Sequence, residues 1–148
     1  MSYEIPDFYV GVFPADVDMS GTVQDGTPTD SVFQFSAVVV RAAANTEGMG
    51  FGGAAVAPAP SAGVPILGIL QQNPQLGEAA EVLCEGVSKC QVNASVTIGA
   101  LLMAGTPLSS GAVPLVPATS GNYAVGQALE AGSAGAIVAV YLRNFGKQ

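Results

Sequence analysis

The sequence predicts an all-β fold: a compact small β-barrel or sandwich that contains two pseudo-repeated strand-turn-strand units and is preceded by an extended N-terminal arm. Three observations support this prediction. Short runs rich in β-branched residues recur along the chain, turn residues separate these runs, and no segment has the pattern of a long amphipathic helix. At 148 residues, the chain has the length of one domain.

The strand candidates begin after residue 30. The run from Val32 to Val40 is β-branched and aromatic, and Phe51 and Val56 mark a further short strand in a stretch rich in Ala, Gly and Pro. The later candidates are residues 66–71, 80–92, 100–103, 112–116, 123–130 and 136–143. Residues 31–148 are therefore expected to form the β domain, because short strands at this spacing favour a sandwich or a small barrel.

Part of this pattern occurs twice. Each landmark of a first unit has a counterpart 58 residues further on: Gly68 with Gly126, Gly77 with Gly135, and Val82 with Val140. The unit is a strand with a central glycine, a glycine-containing turn and a returning strand. Two copies are too few for a solenoid. We interpret them as pseudo-symmetric halves of one barrel, in which each central glycine allows a bend or a close backbone approach.

Residues 1–30 predict an extended acidic arm. Six of the eleven acidic residues lie here, and none of the four Lys and Arg residues does. Aromatic residues alternate with prolines and acids without a sustained helical or strand period. Such a segment is either a poorly ordered terminus or a segment that becomes ordered on a partner. The residues that we expect to contact a partner are Tyr3, Phe8, Tyr9, Phe13, Asp16 and Asp18.

Composition excludes several classes of function. The chain has no histidine, so it lacks the usual general base and the commonest metal ligand; we expect no catalytic residue, no metal, no cofactor and no small-molecule substrate. Its four cations are too scattered to bind nucleic acid. Prolines and glycines interrupt the uncharged stretch 91–129, which excludes a transmembrane helix, and the acidic start is unlike a secretory signal.

The surface is expected to be poor in charge. Charged residues make up 10% of the chain, against about 25% in typical soluble domains. We interpret this shortage as the mark of a protein whose surface is largely covered by partner subunits.

Two local patterns allow a binding or bridging role. Asp16, Asp18 and Ser20 resemble the opening of a calcium loop, but the expected acid at its end is Thr27, so we interpret the segment as a solvated acidic turn. Cys84 and Cys90 would lie about 20 Å apart on one continuous strand, beyond disulfide reach. They could pair with each other only if residues 85–89 formed a hairpin turn. We interpret them as unbridged, half-buried thiols; the alternative is an intersubunit disulfide.

A set of segments after Ser31 matches a known family in order and spacing: residues 35–40, 65–74, 77–82, 85–89, 99–102 and 125–130. On the basis of these segments, the chain resembles the small all-β capsid decoration (cement) proteins of bacteriophages. The resemblance implies a structural virion protein, made in the host cytoplasm, that binds the outer capsid surface. It also implies a homotrimer that bridges neighbouring major capsid subunits without catalysis or a cofactor.

The N-terminal arm departs from this family, whose members often begin near the first strand. We expect the arm to reach a neighbouring subunit of the capsid lattice. The alternative function is a receptor- or glycan-binding spike or adhesin module. Such a module needs clustered exposed aromatic residues, whereas Phe51, Tyr123, Tyr141 and Phe145 are scattered along the domain. A small hydrolase that uses carboxylates is a third and weaker reading.

Overall fold

Strand pairing is the only regular secondary structure in the part of the chain that the computed structural model describes, residues 9–20, 33–42 and 54–148. The strands are β1 (Tyr9–Pro14), β2 (Ala37–Ala42), β3 (Ala54–Pro58), β4 (Gly68–Leu70), β5 (Ala79–Gln91), β6 (Leu101–Ala104), β7 (Leu115–Pro117), β8 (Tyr123–Ala128) and β9 (Ile137–Lys147). The all-β prediction is confirmed. No helix in these described ranges could cross a membrane.

The long strand β5 divides the sheet into two halves. The strand order is β3-β2-β4-β5-β9-β8-β6-β7, and β1 also pairs with β5. The start of β5, as far as Glu85, pairs with β4 and β1, and its end, from Gly86 onward, pairs with β9. Gly86 has a φ of 119°, a backbone conformation that glycine adopts without steric cost. One strand thus belongs to both halves.

Each half curls until the two ends of its strand path meet. An isolated parallel bridge joins Ala15, directly after β1, to Val56 of β3. A second isolated parallel bridge joins Val92, directly after β5, to Leu115 of β7. Each half is therefore a small, strongly curled antiparallel sheet of five strands, as the barrel prediction required.

The predicted repeat is confirmed at the level of strand register. Leu70 pairs with Val82 in the first half, and Ala128 pairs with Val140 in the second half. Each residue of the second pair lies 58 positions after its counterpart in the first. The two units therefore have the same pairing as well as similar sequences.

The turns of the two units also match. Gly77 and Gly135 have φ angles of 80° and 87°. The amide of Gly77 donates a hydrogen bond to the carbonyl of Ala15 at 2.9 Å, and the amide of Gly135 donates to the carbonyl of Val92 at 2.7 Å. Because Ala15 follows β1 and Val92 follows β5, the repeat is longer than the sequence predicted. It extends over all five strands of each half.

Each half has its own hydrophobic core. One face of the first half also packs against the second half and contributes side chains to the second core. The first core contains Ala15, Met19, Phe33, Val38, Val56, Leu70, Ala80, Val82 and Ala112. The second core contains the inner side chains of the second half together with Ala37, Ile69 and Leu83 of the first. These three residues, which we call the first-half platform, are 0%, 0% and 5% exposed. The second half covers the platform.

Residues 9–20, predicted to belong to the arm, are instead part of the first half. β1 pairs with β5 along the whole of residues 9–14, and Ala15 and Met19 are completely buried in the first core. The arm prediction is thus wrong for this stretch, because β5 needs a partner strand on its second edge. Residues 1–8 and 21–30 lie outside the described residues.

The strand predicted from Val32 to Val40 is shorter than expected. Phe33 is buried but precedes a turn at residues 34 and 35, and β2 begins only at Ala37. Phe35 has a positive φ of 69°, and its equivalent in the second half, Gly99, has a φ of 85°. Phe51 and Val32 lie outside the described residues, and the predicted strand around Val56 is β3.

Gly68 is required by a close approach of β4 to β5. A Cβ atom at this position would collide with the carbonyl oxygen of Leu83 and lie 2.9 Å from Cγ1 of Val82. At the equivalent Gly126, the nearest obstacle is Cγ1 of Val140 at 2.6 Å, a side-chain atom that can move. The two glycines have the same role, but the nearest backbone atom to the added Cβ collides with it at Gly68, whereas at Gly126 the nearest backbone atom, the carbonyl oxygen of Tyr141, is 3.3 Å away.

We expect Gly68→Ala to lower the free energy of unfolding by about 1–3 kcal/mol, because the added methyl group forces the two strands apart. Gly126→Ala is the matched control and should cost less. Urea denaturation followed by circular dichroism measures both values. If Gly68→Ala had the same urea midpoint as wild type, the close approach of β4 to β5 at this position would be contradicted.

Candidate functional site

Of the residues predicted to contact a partner, the side chains that the structure describes are those of Phe13, Asp16 and Asp18, and only Asp18 is exposed. Tyr3 and Phe8 lie outside the described residues, and of Tyr9 the structure describes only the backbone pairing with Glu85. Phe13 is half-buried and packs against the first core.

Asp16 is buried and holds the chain in place. Its Oδ2 atom lies 2.5 Å from Nε of Arg41, its side chain is completely buried, and that of Arg41 is 43% exposed. The amide of Asp16 also donates a hydrogen bond to the carbonyl of Val56 at 2.9 Å. The pair ties the segment after β1 to the end of β2. The expectation that Asp16 faces a partner does not hold, because its carboxylate points into the protein.

Asp18 is exposed and caps a local turn. Its Oδ1 atom accepts hydrogen bonds from the hydroxyl of Ser20 at 2.6 Å and from the amide of Ser20 at 2.9 Å. These hydrogen bonds stabilise the carboxylate and lower the pKa of Asp18. Among the described residues, no three His, Cys, Asp or Glu side chains come together as a metal site would require. The segment is a structural turn with one buried and one exposed acid.

The two cysteines lie on the continuous strand β5 and form no disulfide. The thiol of Cys90 is completely buried and donates a hydrogen bond to the carbonyl of Phe35 at 3.4 Å. Burial raises the pKa of Cys90 to about 12, so its thiol remains protonated at neutral pH. Cys84 is half-buried against the first core. An intersubunit disulfide at Cys90 would require the second core to open.

A small cavity lies where β4 and β9 separate from β5. Its volume is about 90 Å³, well below the roughly 300–1,000 Å³ of ligand pockets. The lining residues are Pro65, Ile66, Leu67, Gly68, Cys84, Tyr123, Val125, Leu142, Arg143 and Asn144. None of these side chains is a carboxylate.

A more prominent feature is the outward side of the second half. We define the second-half outer face by five residues: Val87 and Lys89 of β5, Ile137 and Tyr141 of β9, and Leu129, directly after β8. The register places Val87 opposite Tyr141, while Ile137 and Leu129 flank Ala139, whose carbonyl accepts a hydrogen bond from the amide of Leu129. Val87, Leu129 and Ile137 are 50%, 42% and 54% exposed.

Sequence reasoning missed this face, although a signal for it exists. In β9 the residues alternate between buried and more exposed positions from Ile137 to Arg143. Such alternation identifies an outward row of side chains. In a soluble β-domain most of that row is expected to be polar, whereas here Ile137, Ala139 and Tyr141 precede the charged Arg143. A group of neighbouring exposed apolar side chains is a feature of contact surfaces.

We expect Arg41→Met to lower the free energy of unfolding by about 1–3 kcal/mol, because it removes a charge-assisted hydrogen bond from a buried carboxylate. Arg143→Met is the matched control: Arg143 is exposed and forms no ion pair with a described residue, so its replacement should stay within about 0.5 kcal/mol of wild type. Urea denaturation of both variants tests this. If both variants had the same free energy of unfolding, the ion pair between Arg41 and Asp16 would contribute nothing specific to stability.

Comparisons with known proteins support the fold. No protein-family model matches the chain, and no curated protein matches it. Among solved structures, the chain is similar to the N base of the head fiber gp8.5 of bacteriophage phi29, with a TM-score of 0.58 and 12% sequence identity. The similarity covers 91% of this chain and 95% of that chain. The chain therefore has the same fold as the base of a phage head fiber.

Proposed function

We propose that this protein is a structural virion protein of a bacteriophage. In this proposal it binds the outer surface of the capsid and stabilises the lattice by bridging neighbouring major capsid subunits. The observation that carries the proposal is the fold shared with a phage head fiber base along nearly the whole of both chains. The segments that resemble capsid decoration proteins independently support the same role.

The surface chemistry of the described residues fits a docking role better than a catalytic one. The cavity between β4 and β9 is small and its lining contains no carboxylate, whereas the second-half outer face exposes Val87, Leu129 and Ile137 beside Lys89. Binding to a lattice needs contact area and repetition, and it needs no cleft. Exposed apolar area on a protein with few charges provides a surface of this kind.

Stabilisation of a capsid follows from mass action. A protein that binds only the assembled lattice lowers the free energy of that state and so opposes its opening. In a homotrimer, three weak contacts act together, and effective concentration increases the overall affinity by about 10²–10⁴. Modest contacts by each copy would therefore suffice. The role requires no cofactor, no nucleic acid and no membrane.

The N-terminal segment that precedes β1 remains the proposed contact with a neighbouring capsid subunit. Residues 1–8 contain Tyr3, Glu4, Asp7 and Phe8, a mixture of aromatic and acidic side chains. Because β1 begins at Tyr9 and completes the first core, a test must remove residues 1–8 only. A deletion of residues 1–30 would remove β1 and destroy the fold.

Co-sedimentation with heads of the parent phage that lack this protein tests the proposal. We expect saturable binding at a fixed ratio to the major capsid protein, and higher resistance of the decorated heads to heat. Heads that already carry the protein are the control and should bind no more. Deletion of residues 1–8 should weaken binding without changing the circular dichroism spectrum.

The absence of saturable binding to these heads would contradict the proposal. In that case a glycan array would test the adhesin alternative. Unchanged affinity after deletion of residues 1–8 would overturn the role of the arm and leave the docking of the β domain intact.

A further inference from the structure

The duplication shows which surface of the second half is not covered by an equivalent unit among the described residues. The first-half platform, Ala37, Ile69 and Leu83, is covered by the second half. Its equivalents in the second half follow from the matching registers. Ala37 pairs with Ile69 and Ile69 with Leu83; Leu101 pairs with Gln127 and Gln127 with Tyr141.

Those equivalents, Leu101, Gln127 and Tyr141, are each only half-buried, and no third five-strand unit follows among the residues that the structure describes. The same face of the repeated sheet is thus buried in the core in the first half and lies at the molecular surface in the second half. The second-half outer face continues this uncovered side along β5 and β9. A partner that covered it would extend an interface that the chain already forms internally.

Exposed apolar side chains are concentrated on this side. The large hydrophobic residues with the most exposed side chains in the described ranges are Val12, Val40, Leu76, Val87, Ile98, Leu129 and Ile137. Four of these seven belong to the second-half outer face or to its border. Ile98, at the border, is the most exposed of all at 72%. It lies directly before Gly99, whose amide donates a hydrogen bond to the carbonyl of Ala128.

The charges on the two halves are complementary. Lys89 and Arg143 project from the outward rows of β5 and β9, and neither forms an ion pair with a residue that the structure describes. The first half carries exposed Glu81 and Glu85 on β5, likewise without an ion pair to a described residue. Glu81 pairs with Val12, which is 46% exposed. The first half thus presents an apolar spot beside carboxylates.

We propose that the second-half outer face binds a second copy of this chain. In this contact, the cations Lys89 and Arg143 of one copy face the carboxylates Glu81 and Glu85 of the next. The contact joins two different surfaces, so repetition of it closes a ring when the rotation between copies allows closure. It supplies the interface for the oligomer and in that respect rests on the proposed function.

Sedimentation velocity of the full-length protein over a range of concentrations tests the contact. Wild type should self-associate, and Ile137→Glu should raise the dissociation constant by about tenfold or more, because a carboxylate would replace an apolar side chain in the contact. Leu76→Glu is the matched control: Leu76 is 50% exposed, close to the 54% of Ile137, but lies in a first-half turn. It should leave the dissociation constant unchanged.

A charge exchange tests the direction of the contact. Lys89→Glu should weaken self-association, because a carboxylate then faces the carboxylates of the next copy. The double variant Lys89→Glu with Glu85→Lys should restore it, because Glu at position 89 of one copy then faces Lys at position 85 of the next. A double variant that is as weak as Lys89→Glu alone would overturn the head-to-tail pairing. Circular dichroism confirms that each variant is folded.

A wild type that stays monomeric at its highest soluble concentration would overturn the proposal, as would equal weakening by Ile137→Glu and Leu76→Glu. The outcome is separable from that of the proposed function. A monomer that still binds heads would overturn only the self-association. An oligomer that binds no heads would overturn only the capsid role.

Discussion

The burial of the first-half platform under the second half is the interaction on which the rest of the structure depends. Burial of a leucine or isoleucine side chain contributes about 1.5–3 kcal/mol, and Ile69 and Leu83 both lie in this contact. The shared strand β5 passes from one half into the other at Gly86 and so fixes the position of the second half on the first. Without the second half, the platform residues of the first half would lose the side chains that bury them.

This arrangement also explains why function is hard to read from individual residues. In this duplicated sheet, the same side of the motif is an internal contact in the first half and part of the surface in the second. The platform residues Ala37, Ile69 and Leu83 correspond to Leu101, Gln127 and Tyr141, so all three positions differ, and polar groups enter at two of them. A role in docking needs such a face and few charged groups. It leaves no catalytic signature in the sequence.

The all-β fold and the repeat were predictable because both leave periodic signals. Gly68 and Gly126 recur at a fixed offset, since each lies where two strands approach closely. The role of β1 was not predictable, because Pro14 and scattered aromatics hide its alternation and its partner β5 lies far along the chain. The burial of Asp16 depends on Arg41, 25 residues away, and no local pattern reveals that pairing.

The most direct test of this account is native-state hydrogen exchange of Leu83→Ala, compared with wild type. The substitution removes a platform side chain and should lower the opening free energy by about 2–5 kcal/mol. If the platform joins both halves into one cooperative unit, the amides of Val82 in the first half and Val140 in the second should lose protection by the same amount. Loss of protection at Val82 alone would show that the halves unfold independently and would contradict the account.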